Sequence, residues 1–188
     1  MTNEGRVIIT GTGIAATTFL MQVLTEMGLP TGYTPGDDPM EWHDRRAQNL
    51  PLIIKRPQFC CDLNEWIAEG LVVRYAIVPM RNLTEVADSR RRRSLKGGPN
   101  ANGGLVYTTI PEDQERVLAQ KFYDLMLTIA QRNIPALILD YKRIAKADQL
   151  FDAINPVLSP LFPTFTVESL TRAHAAVSAR RDSRGGGR

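Results

Sequence analysis

The chain is poor in the residues that build disulfides and metal centres. Its 188 residues include two cysteines, Cys60 and Cys61, and two histidines. Cysteines adjacent in sequence rarely bridge, so both are read as reduced thiols in or near the core. No Cys/His group has metal-ligand spacing, so no metal is expected. No apolar run approaches the roughly 18 residues that a membrane helix needs. The first residues, MTNEGRV, lack the features of a signal peptide. These absences lead us to expect a cytoplasmic protein with no membrane partner. Internal repeats are missing too, and 43% hydrophobic with 23% charged residues is ordinary for a globular chain. A chain of this length supports one sizeable core. We expect a single domain over residues 1–181 and a disordered basic tail over 182–188.

Acidic charge is scarce in two places only. The formal net charge is +3, yet Arg90 to Lys96 holds five basic residues, and Arg180 to Arg188 holds four against Asp182. Without those stretches the chain has 14 basic and 19 acidic residues. Local basic character of this kind argues against a general nucleic-acid surface and for one anion-facing patch.

What the sequence does contain is concentrated in Val7 to Gly28. Val7-Ile8-Ile9-Thr10 reads as a buried parallel strand. Gly11, Thr12, Gly13, Ile14, Ala15, Ala16, Thr17 and Thr18 form a loop of mostly small and hydroxyl residues. Phe19, Leu20, Val23, Leu24 and Met27 recur at helical spacing, with Gly28 as a C-cap glycine. Strand, small-residue loop and helix together point backbone N–H groups at an anion, and the helix N-terminus adds partial positive charge. A Walker loop would end in Gly-Lys-Ser/Thr. Here Ala16-Thr17-Thr18 keeps the last hydroxyl and lacks the lysine.

Strands and helices then alternate. Leu29 to Leu50 reads as a polar surface loop carrying Asp37, Asp38, Glu41 and His43. Leu52-Ile53-Ile54 is a short strand ending at Lys55-Arg56-Pro57, and Asp62 is a possible N-cap for a helix through Leu63, Trp66 and Ile67. Leu71 to Met80 has the near-continuous apolar character of a central parallel strand. Arg81 follows directly, and Asn82 with Glu85 resembles a capping box for a helix that runs into the arginine cluster. Leu95 to Pro111 reads as a mobile loop of the kind that forms lids. Pro111 opens a long helix, 136–139 is a further strand, Pro156 stops the next helix, and Thr166 to Arg180 is the last. The expected fold is α/β, a three-layer parallel sheet.

At three places these residues resemble the sulfotransferase superfamily of P-loop folds. The loop before Thr17-Thr18-Phe19-Leu20 is similar to the family's 5′-phosphosulfate loop. Arg81-Asn82 with Ser89 eight residues later matches, in spacing, the Arg/Ser pair that binds the 3′-phosphate of PAPS, 3′-phosphoadenosine 5′-phosphosulfate. Ile54-Lys55-x-Pro57 looks like a Lys-Asp-Pro-Arg stretch of bacterial relatives. The resemblance implies a P-loop NTPase-like (sulfotransferase-like) sheet, PAPS or its desulfated product PAP as cofactor, sulfuryl transfer without a metal, and a small-molecule hydroxyl or amine acceptor.

The chain also departs from that pattern. Ile14 stands where the family has Lys or Arg, Ala16 where it has Gly, Arg56 where it has an acid, and Gln58 where it has Arg. The loop cation normally stabilises charge developing on the leaving oxygen. In its absence Lys55 is the candidate for the transferring group and His43 the candidate general base. Two further readings stand beside the sulfotransferase: a non-catalytic nucleotide-binding or scaffold protein on the same fold, and a phosphotransferase. Enzymatic activity and homo-oligomer formation are both left open by the residues.

Overall fold

The computed structural model describes residues 5–13, 15–37, 39, 50–98 and 103–185. Four strands, β1 (Arg6–Ile9), β2 (Ile53–Lys55), β3 (Val73–Met80) and β4 (Ala136–Asp140), form one all-parallel sheet in the order β2-β1-β3-β4. The helices are α1 (Thr17–Glu26), α2 (Phe59–Ala68), α3 (Leu83–Gly97), α4 (Gln114–Gln131), α5 (Tyr141–Ile144), α6 (Ala147–Leu158) and α7 (Val167–Gly185).

Alternation along each strand feeds two cores. Val7, Ile9, Ile53, Ile77 and Leu139 pack with α1, α6 and α7 on one face. Ile8, Ile54, Ala76 and Val78 pack with α2 and α4 on the other. Right-handed crossovers give this distribution. The β1-to-β2 step runs one way across the sheet, whereas β2-to-β3 and β3-to-β4 run the other way. Their helices therefore lie on opposite faces, α2 against α4 and α1 against α7. The α/β architecture with an all-parallel sheet and helices on both faces matches the sequence reading.

The order of the strands fixes where a ligand can sit. Successive connections diverge between β1 and β3, and crevices of open α/β sheets lie at the carboxyl ends of such strands. At that point the loop after β1 faces the start of α3.

Local differences from the sequence reading have physical causes. Asp62 does not cap α2; the helix begins three residues earlier, and the Asp62 carboxylate is held by Arg56 at 2.6 Å. Pro156 does not stop α6. It lies in the last turn, where one amide bond is lost while Val157 and Leu158 reach the core. The last helix runs on to Gly185, so 182–185 are helical rather than a disordered tail. Thr166 and Ser169 cap it reciprocally, each backbone N–H donating to the other's hydroxyl. Among the described residues no helix is long and apolar enough to cross a membrane.

Candidate functional site

The loop after β1 has an unusual backbone. Gly11 has φ of 142°, and a Cβ there would meet the Pro79 carbonyl oxygen at 3.3 Å. Gly13 has φ of 78°. Ala16, the residue before α1, is held in the left-handed region at φ 62°, ψ 20°, with no side-chain cap on the helix. That conformation costs a non-glycine residue about 1–2 kcal/mol. The backbone at Ala16 thus has a glycine-like shape although the residue is alanine. The first intrahelical acceptor used is the Ala16 carbonyl, which takes the Leu20 amide at 2.9 Å. Amides ahead of it in the first turn have no intrahelical partner.

Beside this loop lies an open cleft of about 1000 Å³. Thr12, Gly13, Ala16, Thr17 and Thr18 line one wall and Arg81 another, so the divergence point of the sheet is the cleft floor. Six cations reach it: Lys55, Arg81, Arg90, Arg93, Lys96 and Arg181. No aspartate or glutamate among the described residues lines it. Aromatic surface comes from Phe19, Tyr107 and Tyr141.

The basic run of α3 is sorted by helical period. Arg90, Arg93 and Lys96, three apart, face the cleft, whereas Arg91 turns away to Asp88 and the Pro111 carbonyl. Arg90 is buried. Its Nη2 donates to the Thr12 carbonyl and its Nη1 to the Gly104 carbonyl, both at 2.8 Å, and its Nε has no partner. Burial pulls its pKa below the ordinary arginine value, and Arg93 pushes the same way. Arg181, from α7, lies over the Phe19 ring at 4.9 Å and donates to Gln22 of α1.

Arg81 has two contacts of its own. It forms a 3.0 Å bridge with Glu85, whose side chain is half exposed, and stacks over Tyr141 at 4.9 Å. The Asn82 side chain accepts the Glu85 amide and caps α3, as the sequence indicates. Ser89 is half-buried on α3 and does not line the cleft, so the expected Arg81/Ser89 pair does not converge on one pocket. Gly11 and the buried Ala15 support the loop from behind. Lys55 lines the cleft but is buried, with Nζ donating to the Pro39 carbonyl at 2.7 Å. Ile14 and His43 lie outside the described residues, as do Asp38 and Glu41.

Arg56 does not reach the cleft. Besides Asp62 it stacks over Trp66 at 4.9 Å, and Trp66 Nε1 donates to the same carboxylate. The described part of the expected lid is tied down. Gln114 brackets Val106 through both its N–H and its carbonyl, and the Ser94 hydroxyl accepts the Leu105 amide at 2.8 Å. Tyr107, at φ 63°, places its hydroxyl 3.2 Å from Cys60 Sγ. Burial pushes the Cys60 thiol up to about 12 and the Tyr107 hydroxyl above its usual range, while Cys61 is exposed.

The sequence reading missed Arg90, Arg93, Lys96, Arg181, Tyr107 and Tyr141 as individual site residues. For the first three, the i, i+3 spacing inside the basic run was the available signal. No family model, curated protein or solved structure matches this chain.

Proposed function

We propose that the cleft binds a phosphorylated nucleotide of the PAPS type, and that the protein is a P-loop, sulfotransferase-like transferase acting on a small-molecule hydroxyl or amine. The observation that carries this reading is the lining of the cleft. Six cations meet at the divergence point of a parallel sheet, next to a helix start, with no acidic residue among the described lining. Such a lining suits a ligand with several phosphate charges, since guanidinium donors match phosphate oxygens in pairs. A volume of about 1000 Å³ is at the upper end of small-ligand sites and admits a nucleotide with an acceptor beside it.

This reading gives each group of residues a part. The small-residue loop and the first turn of α1 offer amides to the 5′ end, and Arg81 offers a fork to the 3′-phosphate. Tyr141, under Arg81, offers a ring face close by. The bound donor would supply the activated sulfuryl group. The chain's own residues bind it, orient it and surround it with positive charge. A phosphotransferase would use a loop lysine and carboxylates that hold Mg²⁺; the described lining has no carboxylate.

The non-catalytic reading also has an observation in its favour. The two cations after β2 are engaged by the protein itself, Lys55 by Pro39 and Arg56 by Asp62. A nucleotide-binding protein without transfer activity would need neither at a reaction centre.

Calorimetric titration with PAP, ADP and ATP–Mg²⁺ tests the shared part of both readings. PAP should bind more tightly than ADP, which lacks the 3′-phosphate. Tighter binding of ATP–Mg²⁺ than of PAP would overturn the proposal. Transfer of labelled sulfuryl from PAPS to a generic phenol then separates the enzyme from the binder.

A further inference from the structure

The loop between β1 and α1 is short of positive charge in its described residues, and the fold brings a cation to it from 78 residues away. Arg90 Nη2 donates to the Thr12 carbonyl at 2.8 Å. A Cβ on Gly13 would stand 2.6 Å from that nitrogen, so a side chain there would have to displace the guanidinium. One turn further along α3, Arg93 lies over Gly103, which has φ of 73°. Two arginines on one helix face thus each cover a left-handed glycine, one in each loop at the mouth of the cleft. Arg90 spans both loops, because its Nη1 holds the Gly104 carbonyl.

A buried guanidinium ordinarily has a carboxylate against it, since an unpaired charge in the interior is costly. Arg90 is 7% exposed, its Nε has no partner, and its two hydrogen bonds go to neutral carbonyls. It also lines the cleft. A charge kept in this state has no matching carboxylate among the described residues.

We infer that Arg90 is the anion-binding cation of the β1–α1 loop, and that the same side chain is the strut holding that loop against residues 103–106. This rests on the reading of the cleft as a phosphate site. The ligand chemistry is a diphosphate or phosphosulfate group lying over Thr12 and Gly13. Two of the five N–H donors of the guanidinium go to the protein, Nε–H is buried, and one hydrogen on each of Nη1 and Nη2 is left for the ligand.

Inorganic pyrophosphate isolates this role from nucleotide recognition. Titrated into the full chain, pyrophosphate and PAP should each bind Arg90→Gln at least about tenfold more weakly than wild type, the effect of losing a charge-assisted hydrogen bond. Arg90→Lys, which restores charge without the two-carbonyl span, should recover most of that loss and restore the salt dependence of binding. A strut alone would leave Lys as poor as Gln, so equal loss in both variants overturns the inference, as does unchanged binding in Arg90→Gln. If Arg90→Gln does not fold, the Nε–H resonance that disappears in Arg90→Lys is followed in wild type. Pyrophosphate should shift it, and an unmoved resonance overturns the inference. Arg90-dependent binding of pyrophosphate with no tighter binding of PAP would sink the nucleotide reading and leave this one standing. No binding of either ligand by wild type overturns both.

Discussion

The carboxyl ends of β2 and β1 lie side by side, and each has arginine nearby, yet the protein uses the two differently. After β2, the Arg56 guanidinium is closed in by Asp62 and the rings of Phe59 and Trp66. After β1, the Arg90 guanidinium is equally buried but meets only backbone carbonyls and opens on the cleft. A buried cation with its own carboxylate has its charge matched within the protein. One without it is incomplete until an anion arrives. The partner, and not the residue type or depth, separates a structural cation from a binding one.

The largest effect should come from breaking the matched pair. Asp62→Ala removes the carboxylate that the Arg56 guanidinium and the Trp66 indole N–H both use. Removing one member of a buried pair costs about 3–5 kcal/mol. Urea denaturation should show a loss of that size, with PAP binding by the folded fraction little changed. A loss below about 1 kcal/mol would mean that the pair behaves as a surface bridge.

Arg81→Ala probes the open side. Its bridge to Glu85 is exposed and adds little to stability. We expect the denaturation midpoint to move slightly and PAP binding to weaken by about 1.5–3 kcal/mol. A ligand lacking the 3′-phosphate should lose much less. Equal losses for both would make Arg81 a structural residue of the helix start.

Cys60 joins the two regions, since it sits on α2 and contacts Tyr107 of the cleft wall. Its folded pKa of about 12 lies above the ordinary 9.0. Between those values the unfolded chain has released a proton that the folded chain keeps. Stability from this group is therefore full below about pH 9 and falls as pH rises toward 12. The denaturation midpoint should drop more steeply above pH 9 in wild type than in Cys60→Ser. Parallel curves would contradict the assignment.

The smallest effect should come from Ala16→Gly. It relieves about 1–2 kcal/mol of left-handed strain and gives back about 0.4–1 kcal/mol of unfolded-chain entropy. We expect a net stabilisation of about 1 kcal/mol or less and a modest gain in PAP affinity. Destabilisation would mean that the Ala16 methyl packs usefully.

Local features were legible in the sequence, and long-range ones were not. The strand–loop–helix over 6–26, the Asn82 cap and the entry of Pro111 into a helix each depend on neighbours in sequence. The role of Arg90 depends on Thr12, Gly13 and Gly104, which only the parallel pairing of β1 with β3 brings near. Asp62 was misread as a cap because capping and ion pairing ask for the same carboxylate, and only the fold shows Arg56 against it. Likewise, 103–110 has a loop's composition, but the Gln114 side chain and Ser94 hold it from elements that close on it in space.

Amide hydrogen exchange with and without PAP tests the difference between the two strand ends most directly. If the β1/β3 end is the ligand site and the Arg56 charge after β2 is matched within the protein, PAP should slow exchange in residues 11–13, 15–19, 81–90 and 103–107. Exchange in 59–66 should stay unchanged. No slowing in any of the first group, or slowing confined to 59–66, would contradict that account.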